Sequence, residues 1–312
     1  MSRSLAPIAL SVAASVALSA GFGREARAEH GHDHAMSRSM SIDNDASVSG
    51  CAGVHVTFRG LETTRAEETL TIPRAQAKGL VLSGSARGGV TVVGTDAGAF
   101  TITACKVAAG ETGAEAAALL PKVTLRNTGG RVTVEGPDED SWMGFLVVTA
   151  PRDADFSIEA TNGPVSASRL SGTIAIRTEN GPVTLNGLSG TLTVDVVNGP
   201  VTLKQGSGDV TIRAANGPVS VTLAGTRWEG KGLDADAKNG PLTLRLPDDY
   251  ASSVRVETSN HSPLSCRAAA CDRAHREDGN RSRLIEIGGS DAVVRLTSSN
   301  GPVSIVPIAG KS

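Results

Sequence analysis

Four consecutive blocks of eighteen residues run without a gap from 155 to 226. They read "DFSIEATNGPVSASRLSG", "TIAIRTENGPVTLNGLSG", "TLTVDVVNGPVTLKQGSG" and "DVTIRAANGPVSVTLAGT". Aligned, their apolar residues form columns: Phe156, Ile174, Leu192, Val210, then Ile158, Ile176, Val194, Ile212. After the turn come Val165, Val183, Val201, Val219, then Ala167, Leu185, Leu203, Val221. Within each half the spacing is two, the period of a strand with one buried face. A helix would need 3.6, and the Gly-Pro pairs would break it. A fixed period with two short strands per block predicts an all-β, single-domain parallel β-solenoid (β-helix). Each block is then one coil, stacked about 4.8 Å from the next through parallel backbone hydrogen bonds. An antiparallel β-sandwich of short strands is the alternative, but it has no reason to keep an eighteen-residue period.

The corners carry the punctuation. Gly163, Gly181, Gly199, Gly217 and Gly240 can take φ > 0 without a Cβ penalty. Pro164, Pro182, Pro200, Pro218 and Pro241 lack an N–H and belong outside the ladder. Asn162, Asn180, Asn198, Asn216 and Asn239 tolerate the left-handed region, and stacked they can bond coil to coil as an Asn ladder. Three residues before each Asn stands a charge of alternating sign: Glu159, Arg177, Asp195, Arg213, Asp236. Like charges side by side in a stack would repel, so this column supports the register, although each exposed pair contributes only about 0–1 kcal/mol.

Outside the regular coils of 155–226 the pattern loosens. "KNGPLTLRLP" (238–247) and "SNGPVSIVP" (299–307) repeat the corner, and "SNHSPLSC" (259–266) is a degraded copy. The mixed-charge insertion 266–289 between the last two is expected to loop out. Upstream, "LVLSGSARGGVTVVG" and "KVTLRNTGGRVTVEG" read as earlier coils with Gly-Gly corners, and 110–122 reads as a short helix stopped by Pro121.

The N-terminus has a basic residue, an apolar run and Ala26-Arg27-Ala28, which predicts a signal peptide over 1–28. A flexible His-containing tail would follow over 29–50 and the β domain over 51–312. No later stretch reaches the ~18 apolar residues of a spanning helix, so no transmembrane anchor is expected after cleavage. Removing 1–28 takes away Arg3, Arg24, Arg27 and Glu25, a net +2, and moves the formal charge from −2 to −4. A mildly acidic surface argues against nucleic acid as a partner. In an oxidising compartment four cysteines pair by default, with three connectivities open. Cys266–Cys271 closing the short "CRAAAC" loop and Cys51–Cys105 tying down the N-terminal portion are favoured.

Several segments resemble the bacterial "putative adhesin" domain family, an export-associated repeat family. They are "VVGTDAGAFTITACK", "VVTAPRDADFSIEATNGPVSASRLSGTIAIRTENGPV", "GTRWEGKGLDADAKNGPLTLRLPDD" and "SSNGPVSIV", spread over 78–305. The resemblance implies a β-solenoid with a cell-surface or periplasmic role, and it supplies no catalytic residues to carry over.

Candidate sites are sparse. His30, His32 and His34 offer imidazoles for Zn, Cu or Ni, but alternate spacing on a tail is not a preformed site. Asp138, Glu139 and Asp140 fit no calcium loop and read as a solvated turn. Trp142 and Trp228 read as packing plugs or loop covers. No Gly-x-Ser-x-Gly elbow or His-Glu-x-x-His appears, and the coils are too terse to build a polysaccharide-cleaving cleft. The expectation is an exported, non-enzymatic adhesin-like module with no cofactor. It would sit in the periplasm or at the cell surface and contact a protein or glycan of the envelope. The alternative is an envelope scaffold that self-associates end to end. A polysaccharide-active enzyme and a periplasmic metal-binding protein are lesser readings.

Overall fold

The computed structural model describes residues 38–42 and 50–308, apart from 86, 139, 290 and 292. The signal segment, most of the tail and the His30, His32 and His34 candidate lie outside the described residues. The protein is all-β, with two large mixed sheets and one two-stranded ribbon. We call the twelve-stranded sheet I and the eleven-stranded sheet II.

Each eighteen-residue block contributes an eight-residue strand to sheet I and a four-residue strand to sheet II, as in Thr173–Asn180 and Val183–Asn186. Adjoining blocks pair in parallel and in register. Ile176 lies between Ile158 and Val194, and Leu185 between Ala167 and Leu203. Residues eighteen apart in the chain are therefore neighbours in space. The inward set of one block (Ile174, Ile176, Val183, Leu185, Leu188) is fully buried between the sheets. At roughly 1.5–3 kcal/mol for each such side chain, burial is the main driving force. The polar residues between them face outward because successive side chains of a strand point to opposite faces. Antiparallel pairing is confined to the two ends of the stack, so the regular region is not an antiparallel sandwich.

The corner glycines meet two demands at once. Gly199 has φ +144°, and a Cβ there would overlap the carbonyl oxygen of Gly181. Gly181 and Gly217 repeat the arrangement against Gly163 and Gly199. The corner is also inside the hydrogen-bond ladder: Gly181 N donates to Asn198 O at 2.9 Å, and Val183 N to Pro200 O at 2.8 Å. Proline omits its donor there, but its carbonyl still accepts. The opposite corner holds a left-handed column, Arg169, Gly187 and Gln205, with φ of 55°, 60° and 53°.

Both ends of the stack depart from chain order. The strands Gly79–Ser83 and Val90–Thr95 pair in parallel and in register with the two strands of block 155–168. On their other side lie Arg131–Glu135 and Trp142–Pro151, which come later in the chain. "KVTLRNTGGRVTVEG" is therefore no coil corner. Thr124–Thr128 turns at Gly129-Gly130 and pairs antiparallel with Arg131–Glu135. Both glycines have φ > 0 (60° and 87°), the requirement of a two-residue hairpin turn. At the far end, Val294–Asn300 and Val303–Pro307 insert between Gly232–Asn239/Leu242–Leu246 and Val254–Thr258/Leu264–Cys266. The insertion 266–289 does not loop out. It makes a 3-10 turn, Ala269–Arg273, and a hairpin whose Arg283–Ile287 strand pairs antiparallel with Val254–Thr258. The alternation in "RLIEI" buries Ile285 and Ile287 and accounts for the strand.

Each end of the core is plugged. At one end the helix Gly113–Leu119, started by a Thr112/Glu115 capping box, brings Ala116 and Leu119 down, with Leu120 and Val123 following. Pro121 sits in the 3-10 turn just after the helix, Leu120–Lys122. Here Glu68 joins the sheets: its carboxylate accepts from Lys106 Nζ (3.0 Å) in sheet II and from Leu125 N (3.1 Å) in sheet I. Burial opposes its ionisation, but these hydrogen bonds outweigh it and hold the carboxyl below the usual glutamate range. At the other end the Cys266–Cys271 loop places Ala268, Ala270 and Cys271 in the same core.

A second apolar cluster lies on the outer face of sheet II. Val54, Val56 and Phe58 of the ribbon strand Val54–Phe58 cover Val107, Ala109, Met143, Phe145 and Val147. Trp142–Pro151 is consequently buried on both faces and reads as a near-continuous apolar run. Cys51–Cys105 fastens the ribbon to this layer.

The corner analysis yields a stability prediction. Gly199→Ala should lower unfolding free energy by about 2–4 kcal/mol, because it adds both a clash and backbone strain. Gly98→Ala, where the added methyl meets open space, should stay within about 0.5 kcal/mol. Equal urea midpoints for the two variants would contradict the close-approach argument.

Candidate functional site

Three surface features repeat with the stack, and each follows from the register. The first is the asparagine file. Asn180 Nδ2 donates to Asn162 Oδ1 at 3.1 Å, Asn198 to Asn180 at 3.0 Å, Asn216 to Asn198 at 3.0 Å and Asn239 to Asn216 at 3.1 Å. It continues out of chain order: Asn300 donates to Asn239 and Asn260 to Asn300, both at 3.0 Å. Seven exposed amides thus bond in one direction along the edge of sheet I. Asn260 sits at φ 53°, the left-handed conformation that asparagine tolerates. Its place in the file was legible only as a degraded corner, and its adjacency to Asn300 rather than Asn239 was not legible at all.

The second feature is the charged column on sheet I. Glu159, Arg177, Asp195, Arg213 and Asp236 are successive register neighbours. Arg177 and Asp195 approach to 3.9 Å. Glu159 takes its partner from the early end of the stack, Arg131 Nη1 at 3.0 Å, with Ser83 Oγ at 3.2 Å. At the other end Thr297 Oγ1 donates to Asp236 Oδ1 at 3.1 Å. The Arg131 hydrogen bond, opposed by partial burial, holds the Glu159 carboxyl below the usual glutamate range.

The third is a file of hydroxyls on the outer face of sheet II: Ser166, Thr184, Thr202, Ser220, Thr243, Ser304, Ser265. Beside it run Asn186, Lys204, Thr222 and Arg245. Arg245 Nη1 reaches Ser220 Oγ at 2.8 Å, and Ser265 bonds Ser304 at 3.1 Å. The hydroxyl side chains are short and, Ser265 apart, half-buried, so the face offers repeated donors and acceptors rather than a cavity.

The concave features lie at the ends. A cleft of ≈ 560 Å³ beside the helix is lined by Leu61, Glu111, Glu115, Leu119 and Lys122. The Glu115 side chain is occupied by the amides of Glu111 and Thr112. A pocket of ≈ 290 Å³ adjoins the Cys51–Cys105 bond, where Arg65 donates to the carbonyls of Val54 and Val56.

The remaining singled-out residues have structural surroundings. Trp142 and Trp228 are buried, with Nε1 donating to Pro137 O (2.8 Å) and Gly208 O (3.0 Å). Asp140 pairs with Arg87, and Glu139 lies outside the described residues. The four cysteines form Cys51–Cys105 and Cys266–Cys271. Among the described residues no group of three His, Cys, Asp or Glu could hold a metal ion. Among them also, no helix is long and apolar enough to cross a membrane.

No family model matches the chain, and no curated protein matches it. Among solved structures it is similar to a "putative cell adhesion protein" from Clostridium sporogenes, at 10% identity and a TM-score of 0.34. That match covers 78% of this chain and 100% of the other. It is similar to a "putative adhesin" from Bacteroides fragilis at 10% identity and a TM-score of 0.34, covering 79% and 97%. A "putative lipid binding protein" from Parabacteroides distasonis follows at 10% identity and a TM-score of 0.23, covering 78% and 96%. The second carries the adhesin name of the family that the sequence motifs resemble, and the first is named for cell adhesion.

The Glu159–Arg131 pair gives a pH prediction. A folded pKa below the ordinary 4.5 means that the pair's contribution is complete above that value. It is lost as pH falls through the lowered folded value. Glu159→Gln should therefore unfold at lower urea than the parent at about pH 7, and the gap should narrow as the pH is taken progressively below the ordinary glutamate value. A gap of constant size across that range would refute the ion-pair assignment.

Proposed function

We propose that the chain is an exported, non-enzymatic β-solenoid that acts as a surface-contact module of the bacterial envelope. Its partner would be a protein or glycan met along a flat face. Residues 1–28 would be the signal peptide, 29–50 a tail and 51–312 the working domain, in the periplasm or at the cell surface. The single observation that carries the contact reading is the in-register hydroxyl file of sheet II. Short polar groups repeated at strand spacing favour many weak contacts over one deep site. Continuous parallel pairing between blocks supports the solenoid reading, and the two disulfides suit an oxidising compartment.

The test replaces Thr184 and Thr202 by valine and Ser220 by alanine together in the full chain, which removes the hydroxyls without setting like charges side by side. Protease shaving of intact cells and a crosslinking pull-down then report exposure and contact. The expected result is at least a tenfold loss of envelope retention with an unchanged thermal midpoint. Retention equal to the parent's, in a variant that folds, would discard this face as the contact surface.

A second reading, end-to-end self-association, is favoured by the outermost strands themselves. Glu62–Pro73 and Thr124–Thr128 close the sheets at one end, Leu264–Cys266 and His275–Asp278 at the other. Such edges can pair with another copy unless they are blunted. The Cys51–Cys105 tie and the Cys266–Cys271 plug stand at these ends. Reducing both should shift sedimentation toward head-to-tail oligomers, and an unchanged profile after reduction would remove the idea.

A further inference from the structure

Residues 254–287 form the far end of both sheets, yet their attachments run through a segment that follows them in the chain. Val254–Thr258 pairs with Val294–Ser298, and Leu264–Cys266 with Val303–Ile305. Around these ladders, Ser259 N donates to Ser298 O (2.9 Å), Arg267 N to Ile305 O (2.8 Å) and Val303 N to Pro263 O (2.8 Å). Side chains repeat the pattern: Asn260 on Asn300, Ser262 Oγ to Ser299 O, and Gly301 N to Ser262 Oγ. Among the described residues, every hydrogen bond that leaves 254–287 ends on 294–305. On its opposite side, 294–307 is bonded to Gly232–Asn239 and Leu242–Leu246. The connecting loop 247–253 is moored through Ala251 N to Thr226 O (2.7 Å) and Trp228 N to Ser252 Oγ (2.9 Å), and its last residue touches the same later segment, Ser253 O accepting from Val293 N and Val294 N (both 3.2 Å).

We propose that 294–307 is a keystone whose departure releases 254–287 as one unit, while the coils of 155–246 remain folded. Three physical features support this. Strand pairing is the link between neighbouring units of a stack, so removing the middle unit severs the outer one. The outer unit contains the core plug, Ala268, Ala270 and Cys271, which docks only as part of that unit. The ties of Ala251 and Ser252 to Thr226 and Trp228 hold the preceding loop to the part that stays and so bound the opening. In chain order, moreover, 254–287 appears before the strands that hold it, so this cap forms only after 294–307 has taken its place. Opening bares the parallel edges of Gly232–Asn239 and Leu242–Leu246, which are otherwise fully paired.

The test is hydrogen exchange on the full chain, comparing the parent with Gly301→Ala, whose added Cβ would overlap the Gly240 carbonyl. Amides of 254–287 and 294–307 should accelerate together by at least about tenfold, with 174–221 unchanged. If 254–287 keeps its protection while 294–307 loses it, or if acceleration extends equally through 174–221, the keystone is refuted. The parent alone decides the matter should the variant behave like it. In sub-denaturing guanidinium the two segments should merge on one exchange isotherm, below that of 174–221. Separate isotherms for the two segments, or a merger of both with 174–221, would overturn the proposal.

Discussion

Close approach of backbones at the Asn-Gly-Pro corner is the constraint on which the other regularities depend. The carbonyl of one corner glycine occupies the space that a Cβ on the next would need, and φ there is positive. Only glycine meets both conditions, and meeting them lets adjoining blocks keep ladder spacing through the turn. Once the corners stack, the rest follows from register. Asparagines come within hydrogen-bond distance, aliphatic columns close into a core, and hydroxyls and charges line up on the outer faces. The asparagine amides satisfy one another at the surface, so they add direction to a stack that burial already stabilises.

A stack of identical units has no intrinsic place to stop, and this protein stops it by breaking its own rules. At both ends the parallel ladder gives way to antiparallel strands, which return the chain without needing another full coil. Small apolar residues then fill the exposed core, from a capped helix at one end and a disulfide loop at the other. Both ends also place a unit out of chain order, so neither terminal unit is simply the first or last repeat. Interleaving of this kind couples segments distant in sequence and gives the ends a cooperativity that nearest-neighbour repeats lack.

The faces left over bear on function. Sheet I carries alternating charges with few close pairs, whereas sheet II carries flush hydroxyls over much of its length and an apolar patch roofed by the Val54–Phe58 ribbon. The clefts lie at the ends of the stack, one of them beside the ribbon, and not along the hydroxyl file. This geometry suits extended contact.

The sequence by itself determined the two-strand repeat of 155–226: the period, the inward columns, the corner and the charge column that reports register. Those features are local or repeat at fixed spacing, so one alignment of the chain on itself exposes them. It also pointed to the short helix and to the pairing of cysteines, each from its own segment and the oxidising setting. Tertiary structure alone decided which units adjoin at the ends. "KVTLRNTGGRVTVEG" has the alternation of a coil and folds as a hairpin, because period two is common to parallel and antiparallel strands. Asn300 stacks between Asn239 and Asn260 although 260 precedes it, because strand pairing selects complementary edges in space and is indifferent to the order in which they were written.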